Sequence, residues 1–145
     1  MAFFNCNALE QINAPKVVLI DDDVFYRTNI IAIDFPLAEQ IGNSTFYNCE
    51  NLSEVNLPNV TSVKDFAFYR CPSLKSIDLP KATSLWDFEK GNGYSSTFEK
   101  CTSLETINIP NVTSLGDAGT TSGRNMFAGC SNLKALSAPK ATTIG

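Results

Sequence analysis

FAFYRCPSLKSIDLP, residues 66–80, combines an aromatic cluster, a cysteine, a short apolar run and a proline within fifteen positions. In its second half Leu74, Ile77 and Leu79 are apolar and the residues between them are polar, which is typical of a short strand with one buried side. Pro80 ends this strand because proline has no N–H to donate to a neighbouring strand. The same combination recurs at the same internal distances along the chain, and this recurrence decides the fold.

The repeat is most easily followed from its cysteines. Each cysteine is preceded by a phenylalanine three residues earlier and followed by a proline nine residues later, with aliphatic residues three and six positions after the cysteine. Five matches at every offset establish an internal repeat. The cysteines are Cys6, Cys49, Cys71, Cys101 and Cys130, and the phenylalanines are Phe3, Phe46, Phe68, Phe98 and Phe127.

A sixth unit, residues 25–36, keeps this frame with one residue deleted, and Arg27 and Thr28 stand where the cysteine would be. One coil cannot bury its own apolar side chains, whereas stacked coils cover one another. We therefore predict about six stacked coils in a single domain over residues 1–145. Because both ends of the sequence fall within a repeat, we expect a fragment of a longer array. The repeats lie near 3–24, 25–45, 46–67, 68–97, 98–126 and 127–145.

The repeating text resembles the BspA-like leucine-rich repeat family, whose units read roughly F-x-x-C-x-x-L-x-x-I-x-L-P followed by V-T-x-I-G and A-F. The matching stretches are FYNCENLSEVNLPNVTSVKDFAF at 46–68 and FEKCTSLETINIPNVTSLGD at 98–117, and the resemblance covers essentially the whole chain. The unit without cysteine and the longer fourth and fifth units depart from the family pattern. The resemblance implies a leucine-rich-repeat solenoid of the α/β horseshoe type, here mostly short parallel strands and turns with little helix. It also implies a binding or adhesive role, often on bacterial or protozoan surfaces.

Composition narrows the function classes. The net charge of −4 argues against nucleic acid as a partner, because binding its phosphates needs clustered lysine and arginine. The absence of histidine removes the usual general base and the commonest zinc ligand, and no serine or threonine has an obvious base beside it. We therefore predict a protein that is not an enzyme and that has no cofactor and no metal site.

The recurring aromatic and sulfur-containing residues are predicted to be core. In register, the phenylalanines would form one buried column, and the cysteines would be small spacers between coils. Adjacent cysteines would point in the same direction rather than towards each other. We therefore expect free thiols rather than disulfides.

Binding residues are expected on the outward side of the strands, where equivalent residues of successive coils form straight files about 4.8 Å apart. One file alternates amides and carboxylates, and it either bonds to itself and to water or offers a polar floor to a partner. Charges of both signs beside it favour a protein or glycan partner. The candidate residues of this sheet face are Asn13, Asp34, Asn56, Asp78, Asn108, Glu54, Lys75 and Glu105.

A second candidate surface follows the phenylalanines directly. If each phenylalanine points inward, Tyr26, Tyr47 and Tyr69 should point outward beside one another. Such a row either stabilises the stacked coils through aromatic neighbours or forms an aromatic binding stripe.

A third candidate surface comes from two insertions, WDFEKGNGYSS at 86–96 and GDAGTTSGRNM at 116–126. They fall at the same point of consecutive coils and should project side by side, as insertions on the binding face of repeat proteins often do. We expect either a specificity lip or solvated loops that the scaffold tolerates. The lip residues would be Trp86, Tyr94, Arg124 and Met126.

Three functions fit these observations. The first is an adhesion or interaction module of a cell-surface or secreted protein that binds a protein or glycan. The second is a small acidic intracellular inhibitor or interaction protein, for example phage-encoded, that occupies a basic site on a larger enzyme. The third is a structural spacer. The sequence has no apolar run near the ~20 residues that span a bilayer and no signal-peptide pattern at its start, which leaves a cytoplasmic location as the alternative to a surface protein. End-to-end self-association through uncapped terminal coils is a further expectation.

Overall fold

The structure is a computed structural model that describes residues 1–85, 95–116 and 125–144. These residues form ten short strands joined by turns, and they contain no helix. Strands of three and of two residues largely alternate along the chain. The three-residue strands are β2 (Ala32–Asp34), β4 (Glu54–Asn56), β6 (Ser76–Asp78), β7 (Thr106–Asn108) and β9 (Ala135–Ser137). The two-residue strands are β1 (Leu19–Ile20), β3 (Gln40–Ile41), β5 (Ser62–Val63), β8 (Ser114–Leu115) and β10 (Thr143–Ile144).

Every strand pair in the described part of the chain is parallel and joins one coil to another. On one side of the coils β2 pairs with β4, and β7 lies between β6 and β9. On another side β3 lies between β1 and β5, and β8 pairs with β10. Ile33 is level with Val55, and Ile77 is level with Ile107, so equivalent residues of the repeat are neighbours in space. The predicted solenoid of stacked coils is confirmed.

A column of phenylalanine rings runs through the coils, as predicted. Neighbouring ring centroids are 5.2 to 5.9 Å apart and the rings are nearly parallel. The rings in the central coils are fully buried, whereas those of Phe3 and Phe127 in the outer coils are half-buried. The column therefore ties each coil to the neighbouring coils. Its members are Phe3, Phe25, Phe46, Phe68, Phe98 and Phe127.

The cysteines form a second ladder beside this column. The thiol of Cys71 donates to the carbonyl oxygen of Phe46 at 3.1 Å, and the thiol of Cys101 donates to that of Phe68 at the same distance. Cys49 and Cys130 repeat this contact with the phenylalanine of the preceding coil. All five thiols are free, so the expectation of free thiols is confirmed.

Thr28 takes the place of the cysteine in the unit that lacks one. Its side chain is buried, and its hydroxyl donates to the carbonyl oxygen of Phe25 at 3.0 Å and lies 3.5 Å from the sulfur of Cys49. Arg27, the other residue predicted to stand there, is exposed. Because Ile30 is fully buried and Ile31 is exposed, the deleted residue falls after Thr28.

The turns around the phenylalanines use left-handed backbone. Phe66 and Arg70, two residues before and after Phe68, have φ values of 57° and 54°. A left-handed residue other than glycine costs roughly 1–2 kcal/mol. Hydrogen bonds between coils offset this cost, since the N–H of Phe66 and the N–H of Arg70 each donate to the next coil at 2.8 Å. The same conformation recurs at Asn5, Asp23, Arg27, Ser44, Asn48, Ser96, Lys100, Asn125 and Gly129.

Alkylation of the folded protein at about pH 8 is expected to modify Cys6 first, because its thiol is exposed and thiolate is the reactive form. Burial raises the pKa of Cys49 to about 11 and that of Cys130 to about 12. Cys130 is half-buried in an outer coil and should follow, and the thiols in the central coils should react only on unfolding. Mass spectrometry of samples quenched over time measures this order. Equal rates for Cys6 and Cys71 would contradict the buried ladder.

Candidate functional site

The structure places all eight candidate residues of the sheet face at exposed positions. Asp34 is level with Asn56, and Asp78 is level with Asn108. The side-chain amide of Asn56 donates to Oδ1 of Asp34 at 2.7 Å, and that of Asn108 donates to Oδ1 of Asp78 at 2.9 Å. The file is thus bonded in pairs, and each pair still presents carboxylate and amide oxygens to the outside.

A groove of about 460 Å³ opens on this face over β2 and β4. The half-buried side chains of Ile12 and Val55 contribute apolar surface, and Gln11, Asp34 and Glu54 contribute polar groups. Two carboxylates thus lie beside exposed aliphatic carbon. No lysine or arginine of the described residues lines the groove. Its chemistry suits a cationic group with an apolar stem.

The other half of the sheet face, beside β6, β7 and β9, carries charges of both signs. Lys134 Nζ lies 3.0 Å from Glu105 Oε2, and both side chains are largely exposed. Lys75 belongs to the same file, because the N–H of Glu105 donates to its carbonyl oxygen at 2.8 Å. Both lysines of the sheet face thus lie in this half, whereas the charged residues that line the groove, Asp34 and Glu54, are acidic.

The tyrosines form a continuous stack, as the sequence predicts. The rings of Tyr26, Tyr47 and Tyr69 follow one another with centroids 4.7 Å apart, and Phe4 extends the row by the same step. Each inner ring has its two faces covered by its neighbours. Burial, followed by the proximity of Tyr69 and Tyr26, raises the pKa of Tyr47. The row therefore stabilises the stack of coils while presenting ring edges and hydroxyls at the surface.

Sequence reasoning missed a file of cations beside these rings. Arg27 Cζ lies 5.3 Å from the centroid of Tyr26, and Arg70 Cζ lies 5.4 Å from that of Tyr69. Lys100 Nζ lies 5.8 Å from the same ring of Tyr69. All three occupy the position two residues after a buried phenylalanine. The signal in the sequence is the basic residue that recurs two positions after the phenylalanine in three of the six units.

Of the four proposed lip residues, three lie outside the residues that the structure describes: Trp86, Tyr94 and Arg124. Met126 is described, and the expectation that it forms part of an exposed lip is wrong. Its side chain is 4% exposed and belongs to the core. It directly precedes a column phenylalanine, and Thr45, Ala67 and Thr97 are likewise buried at that position.

The described residues hold neither a metal-binding cluster nor a membrane-spanning helix. Within residues 1–85, 95–116 and 125–144, no group of three histidine, cysteine or acidic side chains is arranged to hold a metal ion. Over the same ranges there is no helix with the length and hydropathy needed to cross a bilayer.

Comparison with known proteins agrees with the repeat geometry. A family model described as the BspA type leucine rich repeat region matches six copies, over residues 1–88 and 19–145. No curated protein sequence is significantly similar to the chain. Six copies are also the number of coils predicted from the phenylalanine spacing.

Solved structures that are similar to this chain include two leucine-rich repeat proteins of bacteria. A leucine rich cell surface protein from Faecalibacterium prausnitzii A2-165 is 25% identical with a TM-score of 0.66, over 90% of this chain and 31% of that protein. A leucine rich repeat protein of T. pallidum is 21% identical with a TM-score of 0.53, over 89% of this chain and 66% of that protein, and it supports the fold alone. The chain thus spans about a third of the first protein and about two thirds of the second. With the family model matching along its whole length, the chain belongs to the BspA-type leucine-rich repeat family.

Proposed function

We propose that this chain is a non-enzymatic binding module that holds a protein partner on its sheet face, with a basic segment of the partner in the groove over β2 and β4. The observation that carries the proposal is the groove itself. It combines Asp34 and Glu54 with the exposed aliphatic carbon of Ile12 and Val55, and no described cation lines it. Membership of a leucine-rich repeat family, whose members are typically interaction proteins, supports a binding role.

A lysine or arginine side chain fits this groove by its two chemical parts. Its alkyl stem can lie on Ile12 and Val55 while its charged head reaches Asp34 or Glu54. The hydrogen bond from Asn56 uses only one oxygen of Asp34, so the other oxygen can accept from the partner. The acidic net charge of the chain would also speed the approach of a basic partner.

We further propose that the module acts on a cell surface. The similar protein from F. prausnitzii is a cell surface protein, and the present chain corresponds to a part of it. A module of this kind would serve adhesion, in which several weak contacts of repeated modules add up to firm attachment.

Removal of the two groove carboxylates tests the site. A variant with Asp34→Asn and Glu54→Gln is expected to bind a fluorescein-labelled oligolysine peptide roughly tenfold more weakly than the parent, because two exposed charge contacts contribute about 1–2 kcal/mol together. Fluorescence anisotropy titration measures the dissociation constants. The parent's affinity should also fall as salt is raised from 0.05 to about 0.2 M.

A matched control separates the groove from general charge attraction. The variant with Asp78→Asn and Glu105→Gln loses the same number of negative charges from the sheet face outside the groove, and it should bind the peptide within about twofold of the parent. Equal weakening of both variants would refute the groove as the site. Failure of the parent to bind the peptide at low salt would refute a basic partner.

A further inference from the structure

The stacked tyrosines and the cations beside them form one surface, here called the tyrosine–arginine edge. It consists of Tyr26, Tyr47, Tyr69, Arg27 and Arg70. The inner ring faces are covered by neighbouring rings at 4.7 Å, so the edge cannot take a ligand by stacking on them. None of the three tyrosine hydroxyls is hydrogen-bonded to another described residue, and each can therefore both donate to and accept from a ligand.

The arginines of this edge are held in place and are not neutralised. Arg27 and Arg70 lie against Tyr26 and Tyr69 at 5.3 and 5.4 Å, and neither forms an ion pair with a described carboxylate. Packing beside a ring restricts a long side chain before any ligand arrives, which lowers the entropy cost of binding.

Two carboxylates on the same turns have partners other than the arginines. Glu99 lies 3.8 Å from Lys100 and accepts a hydrogen bond from Ser96 at 2.7 Å, and Glu50 accepts one from Asn48 at 3.1 Å. The guanidinium groups of Arg27 and Arg70 therefore remain available to an anionic ligand, on a chain whose net charge is −4. The acidic groove suits a cationic group, whereas the edge would select an anionic ligand.

We propose that the tyrosine–arginine edge binds an anionic polysaccharide laid along the axis of the solenoid. Arg27 and Arg70 each hold a carboxylate or sulfate group of the polymer, and the tyrosine hydroxyls bond to its sugar hydroxyls. This site is independent of the groove on the sheet face and does not rest on the function proposed for it.

The spacing of the edge favours a polysaccharide over an extended acidic peptide. Arg27 and Arg70 are two coils apart, which is roughly 10 Å, and the hydroxyls recur at every coil between them. A polymer of identical repeating sugars can place its charged groups at the same spacing as the coils. An extended peptide presents side chains to one side about every 7 Å, which falls out of step with the coils.

Isothermal titration with two polymers tests the proposal and identifies the anionic group. Heparin offers sulfates and alginate offers carboxylates alone, and neutral dextran serves as the blank. The parent is expected to bind at least one of the two charged polymers, and a variant with Arg27→Gln and Arg70→Gln is expected to bind it at least tenfold more weakly. Binding of heparin alone would assign the edge to sulfate, and binding of alginate would assign it to uronate carboxylate.

Two further variants show whether binding depends on these particular side chains or on net charge alone. Lys75→Gln with Lys134→Gln removes the same two positive charges from the sheet face and should change the affinity by less than twofold. Tyr47→Phe keeps the ring stack, as Phe4 does in the same row, and should weaken binding about threefold through the lost hydroxyl alone.

Three outcomes would overturn the proposal. Binding of neither charged polymer by the parent is the first, and equal weakening by the arginine and lysine variants is the second. The third is poly-glutamate binding as tightly as the polysaccharides, which would assign the edge to an acidic protein instead. Since the four substituted cations are exposed on the surface, thermal melting should show all variants folded.

Discussion

Phe68→Ala is expected to remove about 3–5 kcal/mol from the free energy of unfolding, because it deletes a fully buried ring and leaves a cavity. The ring of Phe68 stacks on Phe46 at 5.2 Å and on Phe98 at 5.5 Å. In a solenoid the stability is approximately a sum of the coils and of the interfaces between neighbours. One substitution in the middle therefore weakens two interfaces at once, and the central coils should loosen as a unit.

Urea unfolding followed by circular dichroism measures this loss, and hydrogen exchange locates it. Phe127→Ala is the matched control, because Phe127 is half-buried and, among the described residues, stacks on one ring only, that of Phe98 at 5.9 Å. It should cost less than half as much as Phe68→Ala. If the unfolding midpoint of the Phe68 variant equals that of the parent, the column does not support the fold in the way described.

The fold could be predicted from the sequence because each recurring residue has one physical role in the coil. Phenylalanine fills the column, cysteine fits the narrow space between coils, and proline ends the strand. Their constant offsets fixed the register, and the pairing of Ile77 with Ile107 agrees with it. The single deletion was harder to place, because only burial shows that Thr28 replaces the cysteine and that Ile30 replaces the next aliphatic residue.

The sequence predicts which residues lie in each outward file of the candidate site. It does not predict the contacts between their side chains. The outward positions of Asp34 and Asn56 follow from strand alternation, whereas their mutual hydrogen bond depends on side-chain rotamers. The buried side chain of Met126 was misread because an insertion precedes it, although its offset from Phe127 is that of a core position. The arginines of the edge are themselves in the left-handed conformation, which simple alternation does not describe.

Gly42→Ala is expected to cost about 3 kcal/mol, for a steric reason. A methyl group on Gly42 would lie 2.5 Å from the carbonyl carbon of Asp21 and 2.6 Å from the amide nitrogen of Asp22, both backbone atoms. Neither side can move away freely. The N–H of Gly42 donates to Ile20 O at 2.8 Å, and the hydroxyl of Thr45 bonds to the carbonyl oxygens of both Gly42 and Asp21. Overpacking against fixed backbone costs about 1–3 kcal/mol or more.

Thermal and urea unfolding of Gly42→Ala and of the control Gly129→Ala decide whether the cost is steric. Gly129 has φ of 75°, but an added methyl would meet the flexible side chain of Lys100 at 3.3 Å and no backbone atom closer than 3.5 Å, so about 1 kcal/mol is expected there. For a side chain at position 42, the repeat pattern and the geometry of the structure lead to different expectations. Four residues before their phenylalanines, the neighbouring coils carry Asp21 and Lys64, which predicts that a side chain is tolerated. If Gly42→Ala is as stable as the parent, the repeat is the better guide and the coils can separate slightly. A loss larger than that at Gly129 means that the approach of Asp21 and Asp22 to this coil is rigid.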